Sequence, residues 1–203
     1  MPYRPLLDDP AIARLARSLA ERPGRQAAVR AVDRLAAIAL VVRAAPSGPE
    51  LLMIRRAEKE GDPWSGHIAC PGGRMDPGDA DLAATAVRET REETGVDVAR
   101  DGQVLGALDD LAPRNPALPP IVIRPFVAVV SPDAVVEPNH EVAEAFWVPL
   151  ASIRERGAWG LGTVVAQEAG EIEVPTFRHG SYTVWGLTER ALRDFLHRIE
   201  GES

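Results

Sequence analysis

The chain has 203 residues, 45% of them hydrophobic, which is enough for one well-buried core with terminal additions. Its 23 basic and 30 acidic residues give a net charge of −7, which argues against broad binding to nucleic acid or to an anionic membrane surface. A single cysteine, Cys70, excludes an internal disulfide; with no membrane-length apolar run and no apolar leader core in MPYRPLLDDP, a cytoplasmic protein is expected.

Asp9-Pro10 opens a predicted helix that runs to about Arg22, with Ile12, Leu15, Ala16 and Leu19 at helical spacing and Pro23-Gly24 as its stop. Residues 1–30 are therefore expected as an N-terminal helical extension, and 31–203 as a single domain. Residues 35–42 form a nearly continuous apolar run, which predicts a buried strand; with 50–55 they read as a hairpin closed by a five-residue loop. Residues 58–73, rich in Gly and Pro, predict a loop, and 81–94 a helix stopped by Gly95. Strands are expected at 104–108, 121–130 and 144–148, with a proline-rich irregular stretch over 112–120 and a loop over 132–139. A short helix at 150–157, a hairpin arm at 176–184 and a final helix at 188–199 complete the chain. This order suits a mixed sheet between helices, an α/β fold.

The most informative segment is GGRMDPGDADLAATAVRETREETGV, residues 72–96. Glu89, Glu92 and Glu93 fall at i, i+3 and i+4, which places three carboxylates on one helical face. Like charges so close call for a cation, and carboxylate oxygens are hard ligands suited to Mg²⁺ or Mn²⁺. Pro71-Gly72-Gly73 lies just upstream, where glycine lets the backbone approach closely. Glycine loop and acidic helix together point to metal-assisted chemistry on phosphates.

The segment resembles the Nudix box, the signature of hydrolases that cut a nucleoside diphosphate linked to another group. That pattern is Gly, five residues, Glu, seven residues, then Arg-Glu-aliphatic-x-Glu-Glu-x-Gly-aliphatic. Here Asp79 takes the place of the first Glu, eight residues separate it from Arg88, and Thr90 replaces the aliphatic residue. The first two departures resemble the coenzyme A pyrophosphatase branch, whose PGGxxDxxD start is matched by Pro71 to Asp79. Leu51-Leu52-Met53-Ile54-Arg55-Arg56, Gly66, and Val184-Trp185-Gly186-Leu187-Thr188 are similar to further segments of that branch. In the stretch before the box Ala57 and Cys70 depart from it, the Leu-Arg pair is absent and one residue is inserted.

The resemblance implies an α/β/α sandwich with a mixed β-sheet and a pyrophosphohydrolase that needs Mg²⁺ or Mn²⁺. By matching positions Glu89, Glu92 and Glu93 are the expected metal ligands, with the Gly73 carbonyl as a neutral one, and Arg88 orients a box carboxylate with Asp79 as its partner. The base that activates water is expected to be Glu141, with Glu89 or Glu92 as rival. Arg55, Arg56, His67 and Arg114 are candidates for binding substrate phosphate. The expected substrate is coenzyme A or an acyl derivative, with ADP-ribose, NADH or a nucleoside triphosphate as alternatives. A non-catalytic nucleotide sensor is the other class, but this chain keeps all three carboxylates and Arg88. The expected partner is thus a small nucleotide-type molecule, neither nucleic acid nor membrane, with a homodimer left open.

Several residues have a plainer reading. His67 suits a loop hydrogen bond, His140 a turn next to Asn139, and Cys70 a small buried hydrophobe. Trp147 and Trp185 read as core, while Trp64 could stack on an adenine or pack under its loop.

Overall fold

Strand β1 (Arg34–Arg43) is buried on both faces, which its apolar run requires. In this computed structural model, which describes residues 7–31, 33–61, 64–113, 120–166 and 170–200, β1 runs parallel to β6 (Ile121–Val130) along its whole length. Its other neighbour changes part-way. At Val42 and Arg43 it pairs with β2 (Glu50–Arg56), closing the expected hairpin. Further along, β1 and β2 part, and two short strands fill the gap: β3 (Ile68–Ala69) on β2 and β4 (Gly72–Arg74) on β1. The expected loop over 58–73 therefore ends in strand, too short for any periodicity to show.

Helix α2 (Leu82–Thr94) follows, then a four-residue α3 (Val98–Asp101) not expected from the sequence, and β5 (Gly102–Ala107) on the far edge of β6. Strand β7 (Val142–Pro149) pairs with β2, giving a mixed sheet of seven strands among the described residues. After α4 (Leu150–Arg154) a second sheet forms from β8 (Trp159–Ala166), β9 (Gly170–His179) and β10 (Tyr182–Trp185), in the order β10-β9-β8. The β9–β10 arm was legible; β8 and the first half of β9 were not. Gly160 and Gly162 weaken the strand signal of β8, and Pro175 is tolerated just past the end of the β9–β10 ladder. Helix α5 (Gly186–Glu200) closes the chain.

Alternation along the central strands sends residues to two cores. Leu40, Val42, Leu51, Met53, Val127 and Val129 pack toward α1 (Pro10–Glu21), α5 and the second sheet. Ala37, Ala39, Val41, Leu52, Phe126 and Ala128 pack toward α2 and α3. The result is a layer of helix, sheet and helix, with the small sheet on the α5 side.

Helix α1 is capped by Asp9, which accepts from Ala11 N at 2.8 Å, and it buries Ile12, Leu15 and Leu19 in the α5-side core. The chain then runs beside the end of β5: Gly24 N donates to Ala107 O at 3.2 Å, Arg25 N to Asp109 and Ala27 N to Asp110, both at 2.9 Å. With Leu15 only 1% exposed, Leu15→Ala is expected to cost about 2–5 kcal/mol, read from the midpoint of urea unfolding. A loss below about 1 kcal/mol would show that α1 contributes little to the fold.

Candidate active site

The β3–β4 wedge brings backbone against helix α2. Gly72 and Gly73 sit between β1 and the helix, and neither has room for a side chain. A Cβ on Gly72 would lie 2.3 Å from Ala37 O, and one on Gly73 would lie 2.4 Å from the Glu89 carboxyl. From this position Gly72 N donates to Glu93 Oε2 at 2.8 Å.

Helix α2 begins at Asp81, whose side chain accepts from Ala84 N at 2.8 Å, and ends at Gly95 in the left-handed region, φ 73°. Thr90, in place of an aliphatic residue, is fully buried; its hydroxyl donates to Ala86 O at 2.7 Å, so no polar group is left unsatisfied.

Arg88 organises the outer side. Its Nε and Nη2 donate to the two oxygens of Asp79, both at 2.9 Å, and Nη2 also donates to Arg74 O at 3.0 Å. Its Nη1 donates to Glu89 at 2.9 Å and to Glu92 at 3.0 Å. Thr85 adds a hydroxyl donor to Asp79 at 2.9 Å. The Arg88 guanidinium therefore holds the Asp79 carboxyl well below the usual carboxylate range.

The inner carboxylates behave in the opposite way. Burial pushes Glu93 up to about 7, against the pull of the Gly72 N–H and of Arg56, while Glu89 and Glu141 add to the rise. Burial also raises Glu89, opposed by Arg88. Arg56 reaches Glu93 at 3.9 Å. Among the described residues no three His, Cys, Asp or Glu side chains converge on one point. Glu89 and Glu92 turn to Arg88, while Glu93 turns inward to Gly72. The donor set still fits a hard divalent cation: every donor is an oxygen, and four carboxylates outnumber the two guanidiniums beside them.

A family model described as the NUDIX domain matches residues 33–167, well over half of the chain. The chain belongs to the Nudix family. It is 31% identical over 166 residues to the human mitochondrial coenzyme A diphosphatase NUDT8, covering 81% of this chain and 69% of that protein. It is 30% identical over 169 residues to a Nudix hydrolase of Photorhabdus laumondii, NudL, covering 83% and 86% respectively. Among solved structures, the MutT protein of Methanosarcina mazei superposes with a TM-score of 0.53 at 22% identity, over 86% of this chain and 98% of that one. That likeness bears on the fold. The family assignment makes this chain a pyrophosphatase, an enzyme acting on phosphoanhydride bonds.

The Nudix box is thus one assembled structure, with Asp79, Arg88, Glu89, Glu92, Glu93 and Gly73 side by side. Loop 131–141 carries Glu141 within electrostatic reach of Glu93 and docks on the end of α2: Glu137 N donates to Thr94 O at 2.8 Å and Asn139 N to Glu93 O at 3.1 Å. Ala57 N donates to Glu141 O at 2.8 Å, so the end of β2 holds the same loop.

The candidate arginines separate. Arg56 lies on the α2 side, whereas Arg55 follows Leu51 and Met53 onto the other face and donates to Glu144 at 3.4 Å. Arg114 lies outside the described residues. His67 packs its ring on Trp185 at 4.8 Å, and its carbonyl accepts from Arg56 N at 3.0 Å. Trp185 is therefore a partner of His67 rather than core, whereas Trp147, half-buried, packs against the α2-side core as expected, with the Arg43 guanidinium over its ring at 3.9 Å. Trp64 is 45% exposed, and His140 is an exposed turn residue. Cys70 is core, its thiol pushed up to about 12 by burial. Sequence reasoning missed the Arg56–Glu93 contact and the Arg55–Glu144 pair, because both join segments far apart in the chain.

The two glycines should respond differently to a methyl group. The nearest atoms a methyl on Gly73 would meet are the movable end of Glu89, so melting temperature should stay near wild type in Gly73→Ala while turnover falls about 100-fold from a displaced carboxylate. Gly72→Ala meets the backbone of β1 and should lower the melting temperature outright. Full activity in a stable Gly73→Ala protein would remove Glu89 from the working site.

Proposed function

We propose that this enzyme is a divalent-metal-dependent pyrophosphohydrolase of coenzyme A or an acyl-coenzyme A, releasing 3′,5′-ADP and 4′-phosphopantetheine or its acyl form. The observation that carries the hydrolase reading is the clasp of Gly72 and Gly73 on Glu93 and Glu89, with Asp79 in the fork of Arg88. The substrate reading is supported by the Pro71-Gly72-Gly73 start with its longer spacing to Arg88, and by the likeness to NUDT8.

Glu89, Glu92, Glu93 and the Gly73 carbonyl would hold the cation. Once bound, a divalent cation supplies charge neutralisation at the pyrophosphate and a more acidic water. Arg88 keeps Asp79, Glu89 and Glu92 in register and does not itself touch substrate. Arg56, beside Glu93, is placed to meet a phosphate oxygen. Glu141 takes the proton of the attacking water as it adds to phosphorus and the anhydride P–O bond breaks. The lone buried Cys70 suits a reducing compartment such as the cytoplasm.

The test is a product assay. With Mg²⁺ or Mn²⁺ the protein should turn coenzyme A into 3′,5′-ADP and 4′-phosphopantetheine, identified by mass, faster than it acts on ADP-ribose, NADH or dGTP. A chelator should abolish the reaction. Better rates on ADP-ribose would reject the coenzyme A reading and keep the hydrolase reading.

Two variants assign roles. Glu93→Gln should lose at least ~100-fold in turnover and keep its fold, since a buried carboxylate is replaced by its neutral isostere. Glu141→Gln should lose turnover with Mn²⁺ affinity unchanged. A fully active Glu141→Gln would move the base to Glu89 or Glu92.

A further inference from the structure

On the face of β2 away from α2, Arg55 belongs to a second polar cluster whose other members, Glu144 and Tyr182, have no assigned role. Glu144 stands opposite Arg55 in the β2–β7 ladder and accepts from Arg55 Nε through Oε2 at 3.4 Å. Its other oxygen, Oε1, accepts from the Tyr182 hydroxyl at 2.6 Å. The Tyr182 ring is fixed by stacking on Phe146, with centroids 4.2 Å apart and planes 14° apart. Tyr182 comes from β10, beyond residues 33–167 that the family model matches.

We propose that Tyr182 and Glu144 are positioning residues that present Arg55 as a clamp for a phosphate group remote from the scissile anhydride. This rests on the coenzyme A reading for the identity of that group, the 3′-phosphate. The argument is one of competing partners. A carboxylate opposite an arginine frequently takes two parallel hydrogen bonds from the guanidinium fork. Here the short bond from Tyr182 claims one oxygen, and Glu144 meets Arg55 only through Nε. Among the described residues neither Nη amine of Arg55 has a hydrogen bond, and the side chain is 41% exposed. The fork is thus anchored from behind and open at its outer edge, where a phosphate can accept two bonds.

Placement fits a substrate with two charged parts. Arg55 and Arg56 are neighbours at the end of β2 but face opposite sides. Arg56 reaches Glu93 on one side, and Arg55 opens on the other. A molecule with its pyrophosphate at Glu93 and a second phosphate at Arg55 would bend around the end of this strand.

Tyr182→Phe isolates the hydroxyl, because it keeps the ring on Phe146. It frees Oε1, lets Glu144 take both arms of the fork, and so withdraws Arg55 from substrate. The experiment measures kcat, KM and melting temperature of the full chain for wild type, Tyr182→Phe, Arg55→Ala and the double variant, on coenzyme A and dephospho-coenzyme A. Tyr182→Phe should raise KM for coenzyme A about 5–10-fold with kcat within about twofold, and leave KM for dephospho-coenzyme A unchanged. The tyrosine effect should vanish in the Arg55→Ala background. An unchanged KM, an equal rise on both compounds, or a rise that persists without Arg55 would overturn the proposal. If wild type treats both compounds alike, the coenzyme A reading falls. The same cycle on the substrate with the highest kcat/KM then decides the clamp: an Arg55-dependent rise keeps it, and no rise overturns it.

Discussion

The Gly72 N–H that donates to Glu93 joins the sheet to the acidic helix, and the geometry of the site follows from it. The contact exists because β1 and β2 part after one short stretch of pairing, leaving a gap that only a narrow backbone can fill. Two glycines fill it, and α2 lies directly on them. Along the inner face of the helix Leu82 and Ala86 pack on the sheet, but Thr90 and Glu93 at its C-terminal end are polar and equally buried. Burying polar groups is costly unless they are bonded. Thr90 finds the Ala86 carbonyl and Glu93 finds Gly72, so the helix can sit flat on the wedge.

Electrostatics then divides the carboxylates into two populations. Arg88 spends its donors on Asp79, Glu89, Glu92 and the Arg74 carbonyl, an arrangement that needs the planar five-donor fork and that a lysine could not reproduce. Glu93 is left to the interior with Arg56 at 3.9 Å, beyond hydrogen-bond reach. Charge neutralisation is therefore strongest at the rim and weakest at the centre, the point at which a cation brings the greatest relief.

What was legible in the sequence was local. The acidic helix, the stop at Gly95 and the close approach of Pro71-Gly72-Gly73 all lie within one helix and its preceding turn and are found in place, whereas the i, i+3, i+4 carboxylates, expected together, divide between Arg88 and Gly72. The long apolar strands were equally plain, since β1 and β6 are buried on both faces. Illegible elements were short or irregular. Strands β3 and β4 are two and three residues long, α3 is a single turn, and β8 is interrupted by glycines. Illegible contacts were those between distant segments. Nothing near Arg55 or Arg56 reveals that one faces Glu144 and the other Glu93, because this depends on strand alternation and on the irregular register of β7 at that point.

The loop over 131–141 shows how one set of bonds can serve both fold and chemistry. The last carbonyls of a helix have no partner within it. In α2 those of Glu93 and Thr94 are met by Asn139 N and Glu137 N, donors from a loop that enters from β6 and leaves into β7. Capping the helix therefore fixes the loop, and a fixed loop holds Glu141 within electrostatic reach of Glu93. Glu141 itself is exposed, so this helix-end contact, with the bond from Ala57, does the positioning that burial does for Glu93. A candidate base on a surface loop is thereby held to the same rigid helix that carries the candidate metal ligands, the precision that proton transfer to a positioned group requires.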